Sequence, residues 1–159
     1  MQKIVPCLWY DGNAEEAVKF YLSVFMNSKI TRIGRWTEAG GAKAGSVLTI
    51  YFKLNGQEYL ALNGGPEFKF TPAISFSVDC KTQKEVDYYW EKLSKGGKEV
   101  ACGWLEDKFG MSWQIVPTAL PKMLVDRDAK KADRVMRAMM LMVKLDIKTL
   151  ESAYKGRLV

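Results

Sequence analysis

The sequence predicts an α+β fold: two βαβββ modules forming a curved, cup-shaped mixed sheet, followed by C-terminal helices. Three observations predict it. The first is an internal repeat. Val5-Pro-Cys-Leu-Trp-Tyr-Asp-Gly-Asn-Ala-Glu-Glu-Ala-Val-Lys-Phe-Tyr21 and Ile74-Ser-Phe-Ser-Val-Asp-Cys-Lys-Thr-Gln-Lys-Glu-Val-Asp-Tyr-Tyr-Trp90 share one order: an apolar run, a polar turn, a helix opening with Glu, and an aromatic pair. Asn13, Glu16, Ala17 and Phe20-Tyr21 fall on Thr82, Glu85, Val86 and Tyr89-Trp90, each 69 residues on, and a repeat of this length constrains the fold more than any single residue. The second is the pair Asn55-Gly56 between two apolar runs, a strong two-residue hairpin signal. The third is a change of pattern after Pro117 and Pro121, where helical spacing replaces strand alternation.

The elements follow in order. Residues 3–10 read as a strand. Asn13 with Glu16 three positions later reads as an N-cap and its partner, opening a helix to about Phe25 whose apolar face is Ala14, Ala17, Val18, Tyr21, Leu22 and Phe25. A strand is predicted at 29–36, a flexible loop at 38–45 around Gly40-Gly41, and strands at 46–54 and 58–62. The second module repeats the order: a strand at 73–79, a capping box Thr82-x-x-Glu85, a helix to about Ser94 ended by Gly96-Gly97, a strand at 99–105 and another at 112–116. Ala132, Val135, Met136, Met139 and Val143 then mark a helix over 128–143. Asp146 caps a last one, with Leu145 and Leu150 as a hydrophobic staple. The domain division is thus 1–120 for the duplicated domain, with modules at about 1–65 and 70–118. Residues 121–159 form a helical extension packing on the domain or on a dimer partner.

Composition bounds the function. With 159 residues and 48% apolar content, the chain is long enough for a real core. No apolar run approaches the ~20 residues that span a bilayer, and the start has no signal-peptide pattern. The expectation is a soluble cytoplasmic protein with no membrane partner. Cys7, Cys80 and Cys102 are dispersed, without a Cys-x-x-Cys pair, and read as reduced thiols. Net charge is +6, and residues 121–159 hold +5 of it. There the charges interleave with an apolar helical stripe, the pattern of a solvated helix face. No nucleic-acid motif accompanies them. There is no histidine, which removes the commonest transition-metal ligand and general base.

Side-chain alternation sorts the strands by face. Ile74, Phe76 and Val78 suit a helix-covered face, whereas Ala73, Ser75 and Ser77 suit a lined cavity. In the first module Val5, Cys7 and Trp9 oppose Ile4, Pro6 and Leu8. The candidate ligand-binding residues are Pro6, Leu8 and Leu60 as apolar walls, Ser75, Ser77 and Gln114 as hydrogen-bonding groups, and Trp104 as a stacking surface, the composition of a small-molecule pocket. Trp36 is a second stacking candidate. Neither serine has a histidine to activate it.

The motifs resemble those of the vicinal oxygen chelate superfamily, the fold of glyoxalase I, extradiol dioxygenases and bleomycin-resistance proteins. More narrowly they are similar to its PhnB-like branch, the 3-demethylubiquinone-9 3-methyltransferase-like family. The carrying segments are Trp9-Tyr-Asp-Gly-Asn-Ala-Glu-Glu-Ala17, Asn55-Gly-Gln-Glu58, Leu62-Asn-Gly-Gly65, Gly103-Trp-Leu-Glu-Asp-Lys-Phe-Gly-Met-Ser-Trp-Gln-Ile-Val-Pro117, Arg134-Val-Met-x-Ala-Met-Met140 and Lys144-x-Asp-Ile147. The resemblance implies a homodimer and, in metal-dependent members, a divalent ion on the cup floor. Its ligand positions fall here on Ile4, Leu60, Ala73 and Gln114. Three of these cannot coordinate an ion, and Gln114 offers only a neutral carbonyl. No metal and no cofactor are therefore expected. A carboxylate-only set from Glu58, Glu67, Glu106 and Asp107 is the remaining alternative. The methyltransferase label finds no glycine-rich strand-to-helix turn of the doubly wound kind. The first expectation is metal-free binding or sequestration of a small, partly aromatic molecule. The alternative is an enzyme (lyase, isomerase or methyltransferase-labelled) using Gln114, the serines and a carboxylate such as Glu58. A third reading is a structural dimer that presents the Met-rich helix.

Overall fold

In the computed structural model, which describes residues 3–157, the chain divides after Phe70 into two units. The first unit has the strands β1 (Cys7–Tyr10), β2 (Lys29–Arg35), β3 (Val47–Leu54) and β4 (Gln57–Asn63), with helix α1 (Ala14–Val24) after β1. Its sheet runs β1-β4-β3-β2, with β1 parallel to β4 and the other pairs antiparallel. Asn55 and Gly56 both take positive φ, 47° and 87°, the twist that a two-residue hairpin requires. Lys53 and Glu58 meet across that turn at 3.3 Å.

β1 is shorter than the 3–10 expected. Pro6 has no N–H for the ladder, although its carbonyl accepts from Leu60 N at 2.9 Å. One face of the sheet carries Leu8, Tyr10, Ile50, Phe52 and Ala61, all buried with the α1 residues Ala14, Ala17, Val18 and Tyr21. Burying a side chain of this kind stabilises by roughly 1.5–3 kcal/mol. Asn13 makes no side-chain cap bond; Ala14 N instead donates to Asn63 Oδ1 at 3.0 Å, and Asn63 Nδ2 donates to Val47 O at 3.0 Å.

The second unit repeats the plan with β5 (Ser75–Cys80), α2 (Gln83–Ser94), β6 (Lys98–Glu99), β7 (Trp104–Glu106) and β8 (Ser112–Pro117), in the order β5-β8-β7-β6. The chain therefore has two four-stranded mixed sheets, each with its helix, as the α+β reading requires. Here the helix cap is local: Glu85 N donates to Thr82 Oγ1 at 3.2 Å and Thr82 N donates to Glu85 Oε2 at 3.2 Å, the reciprocal capping box. The strand expected at 99–105 is split. Cys102 and Gly103 take φ of 60° and 81°, and their amides donate to Met142 O and Val143 O, both at 2.8 Å. The C-terminal segment thus takes the hydrogen bonds that a continuous strand would have used.

Helices α3 (Leu120–Leu124), α4 (Ala129–Met140) and α5 (Ile147–Tyr154) complete the second unit. The sequence reading had no helix at 120–124; Pro121 starts it from a first-turn position, where a missing N–H costs nothing. Leu120, Val135, Leu145 and Leu150 form a buried cluster against which Val116 and Tyr154 pack. Gln83 ties α2 to this extension. Its Nε2 donates to Leu145 O at 3.2 Å and its Oε1 accepts from Ile147 N at 2.9 Å. Lys144 Nζ donates to Asp87 Oδ1 at 2.6 Å.

Candidate functional site

In the second unit, register decides which side chains share a face. Ser75 and Ser77 alternate with Phe76 on β5, and Ser77, Gln114 and Trp104 stand in one row across β5, β8 and β7. All four expected residues of this unit therefore lie on one face, with Leu105, Trp113 and Ile115 buried on the other. Gln114 Nε2 donates to Ser75 Oγ at 2.8 Å. That bond fixes the amide and leaves its carbonyl oxygen as an acceptor for another molecule. Val116, two residues on from Gln114 on the same face, packs on the C-terminal cluster, so the extension covers this face beyond the row. Ile74, expected on the helix-covered face, is 71% exposed; it precedes β5, outside the ladder with β8.

In the first unit the expected residues do not come together. The parallel register sets Cys7 beside Leu60 and Leu8 beside Ala61. Leu60 thus lies on the face opposite Leu8, and Leu8, at 4% exposure, is core packing rather than pocket wall. A strand's period of two makes this a choice of face, and the α1 helix takes the face that carries Leu8. Pro6 precedes the strand and is half-buried. The open face carries Cys7, Leu60, Tyr51 and Arg32 in one row.

Sequence reasoning passed over two hollows in this unit. One, of about 490 Å³, lies where β1 and β4 both end, against the first turn of α1, and is lined by Asp11, Glu15, Trp36, Asn63 and Gly65 among others. Trp36, named above as a stacking candidate, forms one wall. Trp36 N donates to Ser46 O and Gly45 N to Trp36 O, both at 2.9 Å, which closes the 38–45 loop at its base. A Cβ at Gly40 would stand 2.3 Å from the Trp36 ring, so this loop needs glycine there. The other hollow, of about 360 Å³, includes Arg32, Tyr51 and Tyr59. Tyr59 is pushed up by burial, so its phenol is the neutral form at neutral pH.

The metal-ligand positions do not fit an ion. Leu60 has no donor, Ile4 and Ala73 likewise, and the Gln114 amide is engaged with Ser75. Among the described residues no three of Cys, Asp and Glu converge as a metal-binding group. Of the carboxylates considered above, Asp107 has a structural task. At 2% exposure it accepts from Phe109 N at 2.8 Å, Met111 N at 3.1 Å and Trp113 Nε1 at 2.8 Å. Asp87, Asp126, Asp133 and Asp146 all shift down, held by hydrogen bonds from Lys144, Tyr154, Arg137 and Thr149 respectively. Such groups are weaker bases, the opposite of what a proton-abstracting carboxylate requires. Burial raises the Cys7 thiol, and burial with the nearby Glu85 and Asp79 charges pushes Cys80 up to about 12, away from the thiolate that reactivity needs.

Two βαβββ units, each a mixed sheet with one covering helix, define the glyoxalase fold. The profile of the family described as 3-demethylubiquinone-9 3-methyltransferase matches residues 2–116. The chain belongs to this PhnB-like family, as its motifs had suggested. The solved PhnB protein from Bacillus cereus is 40% identical, with a TM-score of 0.67, covering 73% of this chain and 99% of that one. Protein PA1353 from Pseudomonas aeruginosa shares the fold at 17% identity and a TM-score of 0.58, covering 71% of this chain and 95% of that one. No curated protein matches. Neither sheet is the doubly wound parallel sheet that carries the common S-adenosylmethionine site. The chain's own residues assign no role in methyl transfer. No described helix is long and apolar enough to cross a membrane.

Proposed function

We propose that this protein binds or sequesters a small, partly aromatic molecule without a metal, using the open face of the second sheet. The observation that carries the reading is the Gln114 amide. It is fixed by Ser75 at 2.8 Å and stands in register with Ser77 and Trp104. A flat ligand would stack on the Trp104 indole and donate to the Gln114 carbonyl, a few placed polar groups beside an aromatic surface. Cys7, Cys80 and Cys102 are all free thiols, which agrees with a reducing cytoplasm. A homodimer belongs to the same reading. Met136, Met140, Leu141 and Val143 of the extension are exposed and suit burial between two copies.

The test is a thermal-shift screen of flat aromatic compounds on the full chain and on Gln114→Ala, with and without EDTA. A ligand at about a hundred times its dissociation constant stabilises by about 2.7 kcal/mol, or roughly 5–10 °C for a chain of this size. The expected result is a stabiliser that EDTA leaves unaffected and Gln114→Ala abolishes. A screen without a stabiliser, or one in which every stabiliser acts equally on Gln114→Ala, refutes the reading.

A further inference from the structure

We propose that the hollow beside β2 in the first unit is an anion site, anchored by Arg32, for a small organic carboxylate with a flat apolar body. The pairing of β2 with β3 shifts register between Ile30 and Arg32, leaving Thr31 as an extra residue. Thr31 Oγ1 donates to Tyr51 O at 3.1 Å, which pins the bulge. Bulges re-aim the next side chain, and here the Arg32 guanidinium stands 4.0 Å from the Tyr51 ring centroid. Stacking uses the flat face of a guanidinium and leaves its N–H fork in the plane, the fork that takes a carboxylate bidentately. Among the described residues Arg32 has no carboxylate partner.

The hollow of about 360 Å³ adds the rest of the specificity. Val5 and the Tyr51 ring supply apolar and aromatic surface next to Arg32. Glu58 also lines it, but its carboxylate is held by Lys53 at 3.3 Å, so the unmatched charge in the hollow is the positive one. An anion with a ring fits this arrangement better than inorganic phosphate, which would leave the apolar walls uncovered. The site lies wholly in the first unit and stands independently of the Gln114 face of the second.

The experiment titrates the full chain with 2-naphthoate by calorimetry, with 2-naphthamide and inorganic phosphate as comparators. Saturable naphthoate binding is expected, weakening as salt rises from about 50 to 500 mM. The neutral amide and phosphate should bind at least tenfold more weakly. Arg32→Gln, at an exposed position, should lose at least tenfold, whereas Lys148→Gln, which removes an exposed cation of the second unit, should lose nothing. If Arg32→Gln loses its native circular dichroism, the wild-type chain decides by NMR: the Val5 methyl signals must move on titration. No saturable binding, full binding by Arg32→Gln, equal binding of the amide, or shifts confined to residues away from Val5 and Tyr51 overturns the proposal.

Discussion

Asp107 illustrates at the scale of a residue how a family motif can be structural. The segment Asp107-Lys-Phe-Gly110 was legible as a turn, but not the destination of its carboxylate. One oxygen accepts from two backbone amides and the other from the Trp113 indole. A buried carboxylate is tolerated when its acceptor capacity is filled in this way. Asp107→Ala would leave two buried donors, Met111 N and the Trp113 indole, and the half-buried Phe109 N unmatched. At about 1–3 kcal/mol for each buried unsatisfied group, the expected loss is about 2 kcal/mol or more, read as a lower urea midpoint at unchanged slope. Loss below about 1 kcal/mol would mean that water replaces the carboxylate. Leu8 teaches the converse. Its apolar character was legible but not its side of the sheet, because strand alternation marks two faces without saying which one the helix covers.

Among the elements, α1 and α2 occupy equivalent places in the repeat and begin by different means. Thr82 and Glu85 form their box within four residues, so the sequence predicts it directly. The equivalent Asn13 and Glu16 look alike in sequence, yet the α1 amide is met by Asn63 from the end of β4. The parallel pairing of β1 with β4 brings that side chain to the helix start, and Gly64 follows it because a Cβ there would stand 2.3 Å from the Trp9 ring. Asn63→Ala is expected to cost about 1–2 kcal/mol, since it removes a cap and a bond to Val47 O together. Asn13→Ala should cost under about 0.5 kcal/mol. Chemical denaturation of both variants checks the order; the reverse order would place the cap at Asn13 after all.

For the whole molecule, the C-terminal helices are an integral part of the second unit. With the link between α4 and α5 they provide the buried Leu120, Val135, Leu145 and Leu150, and that link receives the amides of Cys102 and Gly103 at Met142 O and Val143 O and holds Asp87 through Lys144. The joining carboxylates give this unit a pH dependence of known sign. Asp87 and Asp146 have folded values below the 3.8 of the free group, lowered chiefly by hydrogen bonds from Lys144 and Thr149. Their contribution is therefore complete above about pH 4–5 and disappears as pH falls through the lower folded values. Urea midpoints should hold between pH 7 and 5, then fall below pH 4. The fall should be smaller in Asp87→Asn, which has lost the titrating group. An equal fall in that variant would assign the acid sensitivity elsewhere.

Sequence by itself determined the duplicated βαβββ plan, the Asn55-Gly56 hairpin, the Thr82 and Asp146 caps and the absence of histidine. These depend on neighbours a few residues apart, on alternation, or on composition, and the repeat made each module a check on the other. Tertiary structure alone decided that Leu8 is core while Leu60 lies on the opposite face, that Asn63 caps α1, and that Cys102 and Gly103 pair with the C-terminal segment. It also decided that the bulge at Thr31 sets Arg32 on Tyr51. Each of these depends on the register between strands far apart in sequence or on where a distant segment docks, and no local pattern encodes either.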